Sequence, residues 1–229
     1  MVVRSKRYRE AASKVDRNKH YEAGDAIQLL KDLPGAKFDE SVEVVIRLGI
    51  DPRKSDQLVR GAVSLPKGLG RDVKVVVFAE GDKADAAKAA GADEVGSAEL
   101  AEKIQGGWLD FDVVITSPDM MKHVGKLGKV LGPQGKMPSP KSGTVTPDVA
   151  KAVTEFKAGK VEFRTDAGGN VHAPVGKRSF SKEDLLANLD AFLKHVDSMR
   201  PAAVKGTFMR RISLSTTMGP GLRLVTEGS

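Results

Sequence analysis

The stretch Ser41-Val42-Glu43-Val44-Val45-Ile46-Arg47-Leu48 alternates between apolar and polar side chains. Successive side chains of a strand point to opposite faces, so the even-numbered positions form an apolar face, and Ser41, Glu43 and Arg47 lie on the other. One apolar and one polar face indicate an antiparallel sheet that helices cover on one side and that is open to solvent or a ligand on the other.

Both ends of the chain share this character. Helices are predicted at 4–16, 24–33 and 182–198, and strands at 57–65, 161–164 and 171–173. Ser181 and Asp184 resemble a capping box for the last helix. On the final strand the odd-numbered positions from Thr207 to Thr217 are predicted to share the polar face, with Arg210 as an exception on the apolar face. The two ends therefore predict one discontinuous α+β domain, an antiparallel sheet with helices on one face.

The middle of the chain has a different pattern. Short apolar strands at 72–79, 94–96 and 111–116 alternate with helical segments at 82–90 and 97–104, the second with Ser97 as its N-cap. This alternation predicts an inserted α/β domain with a mainly parallel, Rossmann-like sheet. We expect the α+β domain to comprise 1–67 and 160–229, the insert 68–159, and a hinge to lie near 66–70 and 158–160.

Charge divides along the same boundaries. The 229 residues include 37 Lys+Arg and 30 Asp+Glu, a net charge of +7. Residues 68–159 carry 12 basic and 13 acidic side chains, whereas the flanking segments carry 25 and 17. The whole basic excess therefore lies on the discontinuous domain, which is typical of a unit that binds an acidic partner, although a well-solvated surface has the same composition.

Several classes of function lack their motifs. Cysteine is absent, which excludes disulfides and thiol chemistry and is compatible with the cytoplasm, and no apolar run reaches the roughly 20 residues of a membrane span. The loop Gly125–Pro138 is rich in Gly and Lys but fails the phosphate-loop pattern, since Met137 follows Gly135-Lys136. The four histidines have no metal-ligand spacing, and no catalytic constellation is present. We expect no enzyme activity, no metal and no cofactor, with a nucleotide-binding enzyme on the α/β insert as the alternative.

Nucleic-acid binding has more support. Residues 122–141 contain five lysines and no acid, and 200–223 contain five basic residues and no acid. Such segments attract phosphate. The hydroxyls of Ser213, Ser215 and Thr217 beside Arg211 suit ribose, phosphate and base edges, while the same stripe also fits a solvated strand.

Ten stretches resemble the family of the first protein of the bacterial large ribosomal subunit, the "L-one" side-stalk protein. They are Ala36–Glu43, Leu48–Gln57, Val59–Gly61, Leu65–Pro66, Lys126–Pro138, Lys141–Val145, Ala158–Arg164, Val171–Lys177, Lys205–Phe208 and Thr216–Pro220. They span nearly the whole chain in order.

This resemblance implies a cytoplasmic protein of the large subunit that is monomeric off the ribosome and has no membrane partner. It implies direct binding of large-subunit rRNA in the mobile side stalk and assistance in the release of exit-site tRNA. It also implies repression of the protein's own operon through binding of the mRNA, and a split α+β domain with an α/β insert.

The resemblance also implies which residues contact RNA. They are Lys37, Phe38, Ser41, Glu43, Arg164, Asp166, His172, Lys205, Ser213, Ser215, Thr217, Met218 and Gly219. Secondary phosphate contacts are expected from Lys126, Lys129, Lys136 and Lys141. Many family members carry Thr where Ser41 stands. Two residues have a second interpretation from the residues alone: Phe38 as a hydrophobic staple at the start of its strand, and His172 as a structural residue.

Overall fold

A computed structural model describes residues 4–226. In chain order its elements are α1 (Lys6–Ser13), β1 (His20–Tyr21), α2 (Ala23–Asp32), β2 (Ser41–Leu48), β3 (Arg60–Ser64), β4 (Val75–Phe78), α3 (Asp82–Ala89), β5 (Glu94–Gly96), α4 (Ala98–Gln105), β6 (Val113–Thr116), α5 (Met121–Val124), α6 (Gly128–Leu131), α7 (Val149–Lys157), β7 (Lys160–Arg164), β8 (Asn170–Lys177), α8 (Lys182–Ser198), β9 (Met209–Thr216) and β10 (Leu222–Leu224). The chain forms two compact units, one from the described parts of Met1–Gly70 and Val161–Ser229, which we call the terminal unit, and one from Arg71–Lys160, the middle unit.

The terminal unit contains a five-stranded sheet in the order β1-β10-β9-β2-β8. Its short edge strand β1 runs parallel to β10, and the other neighbours are antiparallel. Strands β3 and β7 form a separate two-stranded sheet. The α+β class predicted from the alternating strands is confirmed.

The apolar face of this sheet carries the core of the terminal unit. The even positions of β2 are all buried, and α2 and α8 supply Ile27, Leu189 and Phe192 to the same cluster. Each such side chain contributes about 1.5–3 kcal/mol when it is fully buried. The predicted cap of α8 is present, since the Ser181 hydroxyl accepts from the amide of Asp184 at 3.1 Å. Because the helices cover this face, the other one remains open.

A β-bulge at Arg210 corrects the predicted faces of β9. Arg211 lies opposite Arg47, but Met209, not Arg210, lies opposite Leu48. The extra residue reverses the alternation, so half-buried Met209 packs against the core and does not share the face of Arg211.

The middle unit has a parallel sheet in the order β5-β4-β6, flanked by helices, so the α/β class is also confirmed. All four residues of β4 are buried. Val75 and Val77 pack in one cluster with Phe156, and Val76 and Phe78 pack in another, which is the arrangement of a strand covered on both faces.

Two local features of the middle unit differ from the predictions. Ser97 precedes α4, but its side chain makes no capping hydrogen bond. The glycine- and lysine-rich segment is not an extended loop throughout, because a 3-10 turn and α6 form at its start, directly after α5. Leu127 and Leu131 are buried in the core of the middle unit, and this burial stabilises the short helical turns of the segment.

Candidate nucleic-acid interface

One row of opposing residues crosses all five strands on the open face. His20 lies opposite Arg223, Arg223 opposite Ser213, Ser213 opposite Val45, and Val45 opposite His172. Because Cα partners share a face, these side chains point to the side away from α2 and α8. The row thus contains an imidazole group at each edge of the sheet, with a guanidinium group, a hydroxyl group and one aliphatic side chain between them.

Two parallel rows extend this face. Glu43 lies opposite Ser215 on one side and Pro174 on the other, and Arg47 lies between Arg211 and Asn170. From Ser41 to Arg47 the face is about 20 Å long, and across five strands it is about 19 Å wide. The surface is therefore large enough to contact several nucleotides.

The buried carboxylate of Glu40 joins two chain segments at one end of the face. Glu40 is 1% exposed, its Oε1 accepts from the amide of Ala36, and its Oε2 accepts from the amide of Met218 at 3.0 Å. Phe38, two residues after Ala36, is 55% exposed, and Met218 is 51% exposed. Phe38 is therefore not the buried staple of the alternative interpretation. The hydrogen bonds of Glu40 therefore fix the backbone near Phe38 and Met218, whose large apolar side chains are exposed to solvent.

Electrostatics favour the ionised form of Glu40. Burial by itself raises the pKa of this carboxyl, but hydrogen bonds from Thr216, Ala36 and Met218 and the nearby charge of Arg7 outweigh it, so the pKa lies below its usual range. The Arg7 guanidinium lies 3.5 Å from Oε1 and that of Arg178 lies 4.0 Å away.

A second set of hydrogen bonds fixes the two predicted hydroxyls at this end. The Ser41 amide donates to Thr217 Oγ1 at 2.9 Å, and the Thr217 amide donates to the Ser41 carbonyl at 3.0 Å. Lys177 Nζ donates to Ser41 Oγ at 3.0 Å. Gly219 closes the turn, and a Cβ built there would lie 2.3 Å from Thr216 Oγ1, so a larger residue would displace the Thr216 hydroxyl.

A carboxylate also organises the opposite end of the face. Asp166 Oδ1 accepts from the amides of Gly168 and Asn170 at 2.8 and 2.7 Å, and His172 Nε2 lies 3.3 Å from Oδ2. The hydrogen bonds from the Asn170 side chain and backbone, with that from Gly168, lower the pKa of Asp166 to about 2. His172 remains exposed, and its ring is oriented by an anion.

The remaining predicted residues of the terminal unit are exposed but lie outside the sheet rows. Lys37 precedes β2, Arg164 ends β7, and Lys205 lies between α8 and β9. The structure thus brings Ser41, Glu43, His172, Ser213 and Ser215 onto one sheet face. Thr217, Met218 and Gly219 form the turn at one end of it.

The lysines of the middle unit fall into two groups. Lys126, Lys129 and Lys141 are exposed, and none forms an ion pair with another described residue. Lys136 is half-buried, donates to the carbonyls of Leu109 and Phe111 at 3.2 and 2.6 Å, and lies 4.8 Å from the Phe111 ring centroid. Its ammonium group therefore stabilises the middle unit through these hydrogen bonds.

Residues that sequence reasoning did not assign also line the face. Arg47 lies on the predicted polar side of its strand, and Lys177 ends the stretch Val171–Lys177 that resembles the family, so both residues could have been assigned from the sequence. Arg223 was counted only among the basic residues of 200–223, and its position beside Ser213 depends on the register of the three-residue strand β10.

Within residues 4–226 no group of three or more His, Asp or Glu side chains is arranged to hold a metal ion. No described helix has the length and apolar character needed to span a bilayer. Arginines and hydroxyls on an open sheet face, with exposed apolar side chains at one end of it, suit contacts to nucleic acid.

Comparison with known proteins gives the class more narrowly. The family model described as "Ribosomal protein L1p/L10e family" matches residues 30–220. The "Large ribosomal subunit protein uL1" of Kosmotoga olearia is 57% identical over 224 residues, which are 98% of this chain and 97% of that protein. These matches define a ribosomal protein of the large subunit and not an enzyme. The chain belongs to the ribosomal protein L1p/L10e family, and the resemblance noted from the sequence is confirmed.

Proposed function

We propose that this protein binds large-subunit rRNA directly through the open face of its five-stranded sheet. The RNA contacts are those of Lys37, Phe38, Ser41, Glu43, Arg164, Asp166, His172, Lys205, Ser213, Ser215, Thr217, Met218 and Gly219. The observation that carries this proposal is the exposure of Phe38 and Met218 on segments locked by buried Glu40. Exposed apolar side chains on a fixed backbone stack on bases or riboses with little loss of conformational entropy.

The arrangement supports recognition that does not depend on charge alone. The Glu43 carboxylate opposes Ser215, and a carboxylate accepts from ribose hydroxyls or base amino groups but repels phosphate. Fixed hydroxyls next to it favour RNA over a non-specific polyanion. Lys126, Lys129 and Lys141 provide secondary phosphate contacts from the middle unit.

The test is binding of a large-subunit rRNA fragment that contains the side-stalk stem and internal loop. Phe38→Ala should weaken binding by about 1–3 kcal/mol, the range for loss of one stacked base. Leu58→Ala is the matched control, because Leu58 is also a large exposed apolar residue, 44% exposed, but lies in the loop before β3. Equal affinity of the two variants would contradict the proposed surface.

We further propose that the same face binds the mRNA of the protein's own operon and thereby represses its translation. A structure in the mRNA that imitates the rRNA site would occupy the same hydroxyl and apolar groups. The rRNA fragment and the mRNA leader should therefore compete for the protein, and Phe38→Ala should weaken both complexes by the same factor. Simultaneous binding of both RNAs would refute a shared face.

On the ribosome, we propose a place in the mobile side stalk and a role in release of exit-site tRNA. The functional domains would comprise 1–67 with 160–229, and 68–159, hinged near 66–70 and 158–160. In support, glycines with left-handed backbone occur in both connections, Gly70 at φ 67° and Gly159 at φ 105°. Ribosomes that lack the protein should release deacylated exit-site tRNA more slowly, and addition of the protein should restore the rate. Limited proteolysis of the full chain should cut first in these two connections.

A further inference from the structure

Two arginines face each other on the open sheet without a counter-charge. Arg47 of β2 lies directly opposite Arg211 of β9, and the neighbour of Arg47 on its other side is Asn170. Like charges directly opposite each other on a sheet destabilise it. Among residues 4–226 neither arginine forms an ion pair. No counter-charge among the described residues offsets this repulsion.

A third arginine connects this pair to a cavity. Arg223 lies opposite Ser213, two residues along β9 from Arg211, and it also lines an open cavity of about 360 Å³ between α1 and the segment Pro220–Arg223. Arg4 and Arg17 line the same cavity.

The cavity is cationic. The Arg4 guanidinium lies 4.9 Å from the centroid of the Tyr8 ring, which orients it without neutralising it. Asp16 is the acidic group that lines the cavity, and its Oδ1 accepts from the amide of Asn18 at 2.9 Å. Against the three arginines Asp16 leaves a net charge of about +2.

Three other arginines of the terminal unit have partners within the fold. Arg7 and Arg178 lie beside the Glu40 carboxylate and donate to backbone carbonyls, and Arg200 donates to the carbonyl of Gly206 at 2.8 Å. The arginine strip, which we define as Arg47, Arg211, Arg223, Arg17 and Arg4, makes no such hydrogen bonds or ion pairs within the described chain. Its guanidinium groups remain available to a ligand.

We propose that the arginine strip binds phosphate groups of the RNA backbone, outside the part of the face that contacts bases and riboses. This inference rests on the proposed rRNA binding and extends it. Guanidinium groups hold phosphate oxygens through paired, charge-assisted hydrogen bonds. A bridging phosphate would relieve the repulsion between Arg47 and Arg211. The strip continues directly from the row of Ser213 and His172, so one RNA strand can contact both.

The test compares salt dependence of rRNA-fragment binding in two double variants, Arg47→Gln/Arg211→Gln and Arg17→Gln/Arg223→Gln. Each phosphate contact contributes about 0.7–0.9 to the slope of log K against log salt. Each double variant should lower the slope by about 1–2 and weaken binding about tenfold or more at low salt. Lys194→Gln is the control, since it removes one exposed charge from α8, on the covered side of the sheet, and should leave the slope unchanged.

Three outcomes separate the possibilities. If the parent protein does not bind the fragment, the proposed function itself fails. If the parent binds and Phe38→Ala weakens binding at an unchanged slope, but both arginine variants keep the parent slope, the arginine strip alone is refuted. A lower melting temperature of Arg47→Gln/Arg211→Gln would show that the pair serves the fold, whereas phosphate binding predicts an equal or higher melting temperature.

Discussion

Substitution of Glu40 by Gln tests how the fold positions the exposed apolar side chains. The amide keeps the shape of the side chain but removes its charge and replaces one acceptor by a donor. One of the amides of Ala36 and Met218 then faces an N–H group, and Arg7 and Arg178 lose their anion. Loss of one partner of a buried ion pair costs about 3–5 kcal/mol, and an orphaned amide costs about 1–3 kcal/mol. The side chains of Arg7 and Arg178 are 27% and 23% exposed and recover part of this through water.

We therefore expect a loss of about 2–4 kcal/mol in the free energy of unfolding of the terminal unit. Urea unfolding followed by far-UV circular dichroism measures it, and fluorescence of the single tryptophan, Trp108, reports the middle unit, whose transition should stay in place. Asp39→Asn is the matched control. The exposed carboxylate of Asp39 accepts from the amide and hydroxyl of Ser179 at 3.2 and 2.7 Å, so its loss should cost about 1 kcal/mol or less.

The pH dependence has a definite sign. The pKa of Glu40 is lowered in the folded protein from its usual 4.5, so its contribution is fully present above pH 4.5 and is lost as the pH falls through the folded-state pKa. The difference between the parent and Glu40→Gln should therefore be constant from pH 7 to 5 and shrink below that. Equal stabilities of Glu40→Gln and Asp39→Asn, or a difference that persists unchanged at low pH, would refute the role assigned to this carboxylate.

Three further substitutions test other parts of the structure. Asp166→Ala should lower the free energy of unfolding by about 1 kcal/mol at pH 7, because the amides of Gly168 and Asn170 lose a partly exposed acceptor. Since the pKa of Asp166 in the folded protein is about 2, the difference in urea midpoints between parent and variant should disappear as the pH falls from 4 to 2. Gly219→Ala places a Cβ 2.3 Å from a side-chain oxygen and should lower stability by about 1–3 kcal/mol in thermal unfolding, whereas Gly221→Ala, with nothing within 4 Å, should be neutral. Lys136→Met should destabilise the middle unit by about 1–2 kcal/mol, measured by tryptophan fluorescence, and equal behaviour of Lys126→Met would contradict the distinction between the two lysines.

The open face was predictable from a single strand. A period of two residues leaves only one way to bury the even positions of Ser41–Leu48, and the odd positions follow onto the other side. The same rule failed at Arg210, because a bulge shifts the period by one residue and its position depends on pairing with β2.

Glu40 shows why part of the site could not be predicted. An acidic residue next to Asp39 at the start of a strand is ordinarily exposed. Its burial depends on Arg7, Arg178 and the amide of Met218, which are 33, 138 and 178 residues away in the chain. The residues around Glu40 do not indicate these distant contacts. The hydroxyls of Ser213 and Ser215, in contrast, alternate along one strand and could be predicted from that spacing.

The position of β9 has a consequence for the time at which the protein becomes functional during its own synthesis. This strand is the second last in the sequence, yet in space it lies between β2 and β10, at the centre of the sheet. The Ser41–Thr217 bonds also span 176 residues. A nascent chain that has not yet emerged past Thr217 thus lacks both the middle strand and the hydroxyl that completes the face. A chain that stops before Thr217 therefore cannot form the proposed RNA-binding face.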